Sequence, residues 1–334
     1  MTHNRLRNRL KTVTHRSTLT LLSHTPPPLE TNTMLRRTFL AVAAFVAIAP
    51  LAHAADEAKP AEKLKLLIVD GQNNHNWKGT SPVMQKYLAD SGRFTVDVAT
   101  SPAAKQDMSG FRPKFKDYDV VLLNYNGDEW STEAKQDLVD YVHGGGGLAV
   151  IHAANNSFPK WPEYNRMIGL GGWGGRNEAS GPYVRFRDGK IVRDTDKGPG
   201  GHHGKQHPFQ VVVRNAEHPI TAGMPTSWLH SQDELYDKLR GPAEAMEVLA
   251  TAYADPATGG SGEHEPMIFT VSYGKGRIFH TPMGHSPESM HCVGFITTLL
   301  RGSEWAATGK VTLTEIPKDF PKPDKVSVRG GRFE

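Results

Sequence analysis

The sequence predicts an α/β protein, a doubly wound, flavodoxin-like, mostly parallel sheet with helices on both faces and long loops in the second half. Three observations carry this. Segments of strand length, LKLLIVD (Leu64–Asp70), DVVLLN (119–124) and LAVI (148–151), are apolar almost throughout, as strands covered on both faces must be. Stretches with helical spacing alternate with them, in a βαββαβ rhythm. No linker or internal repeat divides the chain after residue 64, and about 280 residues suffice for one large α/β domain.

In order, the first strand runs into Gly71 and a polar loop, and residues 81–91 follow with apolar Val83, Met84, Tyr87 and Leu88 on one helical face. Residues 94–99 alternate as a strand, 119–124 form a buried strand, and 132–142 return to helical spacing. The run from Gly144 to Gly147 precedes a strand, so it is a helix stop and not a phosphate cradle. Further strands are expected at 183–187, 209–213, 248–252, 267–271 and 277–280, with a closing helix at 287–301 that contains Cys292. The glycine-rich stretch from Gly169 to Gly204 has the composition of long functional loops.

The chain has 334 residues and a formal net charge of +4. From Met34, the stretch MLRRTFLAVAAFVAIAPLAHA has a basic start, an apolar run and small residues before a cut, so 34–54 reads as a secretory signal peptide. Arg36 and Arg37 resemble a twin-arginine signal and also suit the general secretory route. Residues 1–33, basic and rich in Thr and Pro, read as an extension from a start codon placed too early. Residues 55–63 read as a linker, 64–316 as the domain and 317–334 as a tail. These boundaries predict a periplasmic or secreted protein with no stable membrane anchor after cleavage.

Residues 1–54 carry seven Lys/Arg and one Asp/Glu, which leaves 32 basic against 34 acidic residues in the remainder. A nucleic-acid partner therefore loses its electrostatic support. One cysteine, Cys292, allows no internal disulfide. GxGxxG after the first strand, GxxxxGK[ST] and GxSxG are all absent.

Ligands of open parallel sheets bind beyond the carboxyl ends of the strands, so the residues there are the candidates. Asp70, Asn73, His75 and Trp77 follow the first strand; Asn126, Asp128 and Trp130 follow DVVLLN; His152, Asn155 and Asn156 follow LAVI; His280 and His285 follow the last strand. Taken singly, such Asp and Asn residues cap helices and such tryptophans pack loops. Together they suit a sugar, whose apolar face stacks on aromatic rings while its hydroxyls pair with amides and carboxylates. His152, Asp128 and His280 are the expected catalytic residues. Asp70, Asn73, His75, Trp77, Asn126, Trp130, Asn155, Asn156 and Glu234 are the expected substrate contacts. Twelve of the sixteen histidines follow residue 54. His203, His207, His230 and His285 are candidate metal ligands, which Asp233 or Glu234 would complete. No short spacing such as HExxH fixes the set, so two cofactor readings stay open, a divalent metal such as zinc or none.

HNWKGTSPVMQKYLADSGRFTVDV, LNYNGDEW, GGGLAVIHAANNSFPKWPEYNRMIGL, HPITAGMPTSWLHSQDELYDKL, and YGKGRIFHTPMGH followed by CVGFITTLLRGSEWAATGKVT resemble the trehalose-utilisation (ThuA-like) family. The resemblance runs from about residue 64 to 314 and implies a fold similar to class I glutamine amidotransferases. Where those enzymes place their nucleophilic cysteine this chain has His152-Ala153-Ala154, which argues against glutaminase chemistry. The family implies carbohydrate metabolism and a small carbohydrate ligand. Two classes remain: an enzyme that isomerises or cleaves an oligosaccharide, glycoside or keto-sugar, and a non-catalytic sugar-binding module. The abundance of histidine favours the enzyme.

Overall fold

The computed structural model describes residues 62–330, so the leader and most of the expected linker lie outside the described residues. The first half follows the expected rhythm: β1 (Leu64–Asp70), α1 (Trp77–Asp90), β2 (Phe94–Thr100), β3 (Val120–Leu123), α2 (Thr132–His143), β4 (Gly147–Ile151) and α3 (Pro162–Ile168). The second half is β5 (Tyr183–Arg187), β6 (Lys190–Asp194), β7 (His202–His203), β8 (His207–Val213), β9 (Ser227–Asp233), β10 (Tyr236–Asp237), β11 (Met246–Tyr253), β12 (His264–Tyr273), β13 (Gly276–Thr281), α4 (Pro287–Met290) and α5 (Val293–Thr308).

The main sheet has the order β2-β1-β3-β4-β13-β12-β11-β8-β9, with the β5–β6 hairpin joined to β12. The five strands from β2 to β13 are parallel. From β12 onward the pairing is antiparallel, because the connections there are short or return along the same edge. β7 and β10 form a separate two-stranded ribbon.

Alternate residues of β1 explain the double layer. Leu67 and Val69 enter one core with Leu138 of α2 and Tyr164 of α3. Leu66 and Ile68 enter the other with Met84 of α1 and Phe295 of α5. Each fully buried aliphatic side chain contributes about 1.5–3 kcal/mol. Helix starts are set locally: Asn76 accepts from the Gly79 amide and Ser131 from the Ala134 amide. The glycine run ends α2 and opens β4, as its position before a strand predicts.

Two details differ from the sequence reading. The closing helix is broken, and Cys292 is not inside it but at the start of α5, buried. The expected tail from residue 317 runs back over the domain as far as it is described: Lys322 accepts from the Leu229 amide, Ser327 accepts from the Val293 amide, and Phe320 packs on Trp228.

Chain order turns from β2 across β1 to β3, which leaves a crevice beyond the carboxyl ends of the parallel strands. The glycine-rich segment covers it. Two buried arginines organise that segment. Arg176 donates to the carbonyls of Asn156, Ser157 and Gly172, and Arg240 to those of Gly181, Asp196 and Gly198. At Gly201, φ is +88° and a Cβ would lie 2.5 Å from the Trp173 nitrogen, so only glycine permits this approach.

Candidate functional site

His152 stands at the carboxyl end of β4, between β3 and β13, and opens a 3-10 turn over His152–Asn156. Its φ of +47° is costly for a bulky residue and occurs where the surroundings enforce it. Its Nδ1 lies 2.7 Å from the Pro282 carbonyl oxygen and must be the protonated nitrogen. That bond turns Nε2 toward Glu234, as the free nitrogen of a metal-ligating histidine is turned toward its ion.

Three other chain segments bring partners to it. Asn73 accepts from the His75 amide at 3.0 Å and donates to Asn124 at the end of β3, which sets the loop that carries His75. Glu234 lies between β9 and β10, and His285 follows β13. Glu234 Oε2 is 3.1 Å from His285 Nδ1 and 3.6 Å from His152 Nε2. The His75 ring centroid is 4.8 Å from that of His152 and 4.5 Å from that of His285. One ligand-type atom from each of His75, His152, Glu234 and His285 falls within 4.8 Å of the others.

Electrostatics fit a cation. Burial, then His152 and His285, lower the pKa of His75 to about 4, so it is a neutral ligand at neutral pH. Burial opposes ionisation of Glu234, but His152 and His285 outweigh it and hold the carboxyl well below the ordinary range. The adjacent Glu234 carboxylate raises His285. His152 Nε2, Glu234 Oε2 and His285 Nδ1 are buried and lack a hydrogen bond of acceptable geometry. In a tetrahedral zinc site, bonds of about 2.1 Å set ligand atoms about 3.4 Å apart, so the widest pair would have to close by about 1.4 Å for these four to hold a divalent ion.

Beside the cluster opens a cleft of about 390 Å³, lined by Asn74, His75, Asn126, Asn156, Trp173, Gly174, His203, Glu234 and Tyr236. Tyr236 lies between His152, tilted against it at 4.2 Å, and Trp173, edge-on at 4.7 Å, and its hydroxyl is 3.1 Å from His75 Nε2. Asn126 donates to Asn74. The Asn156 side-chain oxygen is buried without a partner. His203 Nδ1 donates to the Gly204 carbonyl at 2.8 Å, and its Nε2 lies 3.7 Å from Glu234 Oε1.

Of the residues expected from the sequence, His75, His152, Glu234 and His285 meet in the cluster, and Asn126, Asn156 and His203 meet in the cleft. The others lie elsewhere. His280 is fully buried with both nitrogens engaged, Nδ1 to the Ile168 carbonyl and Nε2 to Asn155, and burial lowers it to about 3. It is a core histidine that ties Asn155 and α3 to the sheet. Asp128 accepts from the Lys105 amide on an exposed loop, and Asp70 from the Thr100 hydroxyl. Trp130 is buried among Phe111, Tyr125 and Phe158. Asn73 acts on the loop of His75, and Trp77 opens α1. His207 bonds the Lys205 carbonyl on the surface, and His230 is buried against Asp233.

Trp173 and Tyr236 escaped the sequence reading. Trp173 sits inside GGWGG, where flanking glycines that free the backbone around an aromatic ring were a usable signal. Tyr236 reaches the cleft only through the small β7–β10 ribbon, which no periodicity announces.

Comparison with known proteins identifies the family and the fold. The family model described as trehalose utilisation (ThuA) matches residues 65–306. The solved structure of a ThuA-like protein from Parabacteroides merdae is 51% identical, covers 80% of this chain and 98% of its own, and superposes with a TM-score of 0.78. A ThuA-like protein from Bacteroides uniformis, 19% identical, with 77% of this chain and 97% of its own covered, shares the fold at a TM-score of 0.51. No curated protein matches the chain. The chain thus belongs to the trehalose-utilisation (ThuA) family, which points to a carbohydrate-related role.

Proposed function

We propose that the cleft binds an oligosaccharide, glycoside or keto-sugar and isomerises or cleaves it, with a divalent metal such as zinc held by His75, His152, Glu234 and His285. The observation that carries this reading is the convergence of three buried polar atoms, His152 Nε2, Glu234 Oε2 and His285 Nδ1, which lack a hydrogen bond of acceptable geometry even though Glu234 Oε2 lies 3.1 Å from His285 Nδ1. Each buried polar atom left unpaired costs about 1–3 kcal/mol, so their concentration in one place calls for a ligand. When bound, a divalent ion supplies Lewis acidity toward a carbonyl or hydroxyl oxygen.

The protein's own groups do the rest. Trp173, backed by the buried Tyr236, offers its ring to the apolar face of a pyranose, and Asn74, Asn126 and Asn156 offer amides to its hydroxyls. The orphaned Asn156 oxygen accepts one hydroxyl proton. His203, whose Nδ1 is held by the Gly204 carbonyl at the cleft wall, takes the general-base role through Nε2 and returns the proton afterward. Asp128 and His280 have no part, since neither lines the cleft. The sequence of residues 34–54, read as a signal peptide, supports the reading that this activity lies outside the cytoplasm.

The test is a product screen by NMR with trehalose, other disaccharides and their 3-keto derivatives on metal-replete protein. The expected result is conversion of a keto-glycoside, abolished by chelation and restored by metal. Measurable sugar affinity without any product would favour the binding module, and neither affinity nor product would contradict both readings.

A further inference from the structure

We propose that Asp233 is the positioning residue of the cluster, and that its carboxylate, anchored by His230, locks the two segments bearing Glu234 and His285 into one frame. This rests on the metal reading above and goes beyond it. Asp233 ends β9 and is 1% exposed. Its Oδ1 accepts the backbone amides of Glu234 at 2.8 Å and His285 at 3.0 Å. Its Oδ2 accepts the amide of Gly284 at 2.7 Å and the His230 Nε2–H at 2.8 Å.

Four donors saturate the four lone-pair positions of one carboxylate. Two belong to the ligand residues themselves, and a third to the residue before His285. Those ligand residues are far apart in sequence and come from different strands, so no local turn sets their distance. The carboxylate does.

Ordinary roles do not explain this arrangement. Helix capping does not need Asp233, because the Ser286 hydroxyl already accepts from the Ser289 amide at the start of α4. Nor is it a surface ion pair, since His230 and Asp233 side chains are both 0% exposed. A buried carboxylate is expensive unless fully paired, and here the pairing is spent on the backbone of the cluster. Groups that orient ligands in this way typically govern metal affinity by about 10–100-fold.

The experiment compares wild type, Asp233→Asn and His230→Leu, each stripped with chelator and titrated with Co²⁺ while its d–d absorption is recorded. Asparagine keeps the shape but turns a donor toward backbone amides, whereas His230→Leu leaves the three amide bonds and removes only the anchor. The expected result is wild-type binding of one Co²⁺, roughly 10-fold or greater weakening in Asp233→Asn with an altered spectrum, and a smaller loss with an altered spectrum in His230→Leu. A cooperatively melting Asp233→Asn with wild-type affinity and spectrum would overturn the proposal. Should Asp233→Asn not fold, His230→Leu decides: an unchanged spectrum and affinity overturns the proposal, and an altered spectrum with weaker binding supports it. Failure of wild type itself to bind Co²⁺ would instead refute the metal reading on which the proposal stands.

Discussion

Replacing His152 by Gln separates a site histidine from a core histidine. The ring is buried, with Nδ1 on the Pro282 carbonyl and Nε2 facing Glu234. Glutamine can keep a donor to Pro282 but removes the basic nitrogen. Four-ligand zinc sites bind with about 10–16 kcal/mol, so one of four ligands is worth roughly 3 kcal/mol, or ~100-fold in affinity. The stability cost is smaller. The hydrogen bond is retained in kind and part of the contact with Tyr236 is lost, a loss of about 1 kcal/mol, which lowers the Tm of a domain this size by about 2–4 °C. Calorimetric zinc titration and thermal melts on the same preparation read both numbers. A variant that melts far lower yet binds zinc like wild type would refute the reasoning and make His152 a packing residue.

Trp173→Ala should weaken binding of the sugar ligand by roughly 2–10-fold, the worth of one aromatic contact, and unchanged affinity by calorimetry would remove Trp173 from the cleft's function. His280→Gln should cost about 1–3 kcal/mol at pH 7 in urea unfolding and leave metal binding intact. Because the folded state holds His280 near pKa 3, below its ordinary 6.5, the neutral ring's contribution is complete above pH 6.5 and is lost as pH falls toward 3. The variant should therefore show a flatter stability profile across that window, and loss of bound metal would contradict the core assignment. Gly201→Ala should cost about 1 kcal/mol or more and displace Trp173, which quenched or shifted tryptophan fluorescence and a weaker sugar affinity would report.

The parallel half of the fold was legible because its strands are buried on both faces and say so in composition, as LKLLIVD and LAVI do. The antiparallel extension was legible in part: β8, β11, β12 and β13 were expected near their positions, while β9 was not. Its sequence SWLHSQD carries buried polar residues, His230 and Asp233, which bond each other, and Asp233 also accepts the distant Gly284 amide. For the site, position at a strand end identified His75, His152 and His285, since topology brings those ends together. The same rule also selected His280 and Trp130, whose side chains point into the core layers. Alternation decides that, and a strand buried on both faces does not display it. Trp173 and Tyr236 depend on loop paths set by Arg176 and Arg240, which carry no local signature.

The most direct test of the account is zinc titration of chelator-stripped wild type against a His75→Ala/His285→Ala double variant, with metal content measured by mass spectrometry before stripping. The expected result is one tightly held ion per wild-type chain and none in the double variant, with both proteins folded. A wild-type protein that carries no metal as purified and binds none at micromolar concentration would contradict the central claim that these side chains form a metal centre.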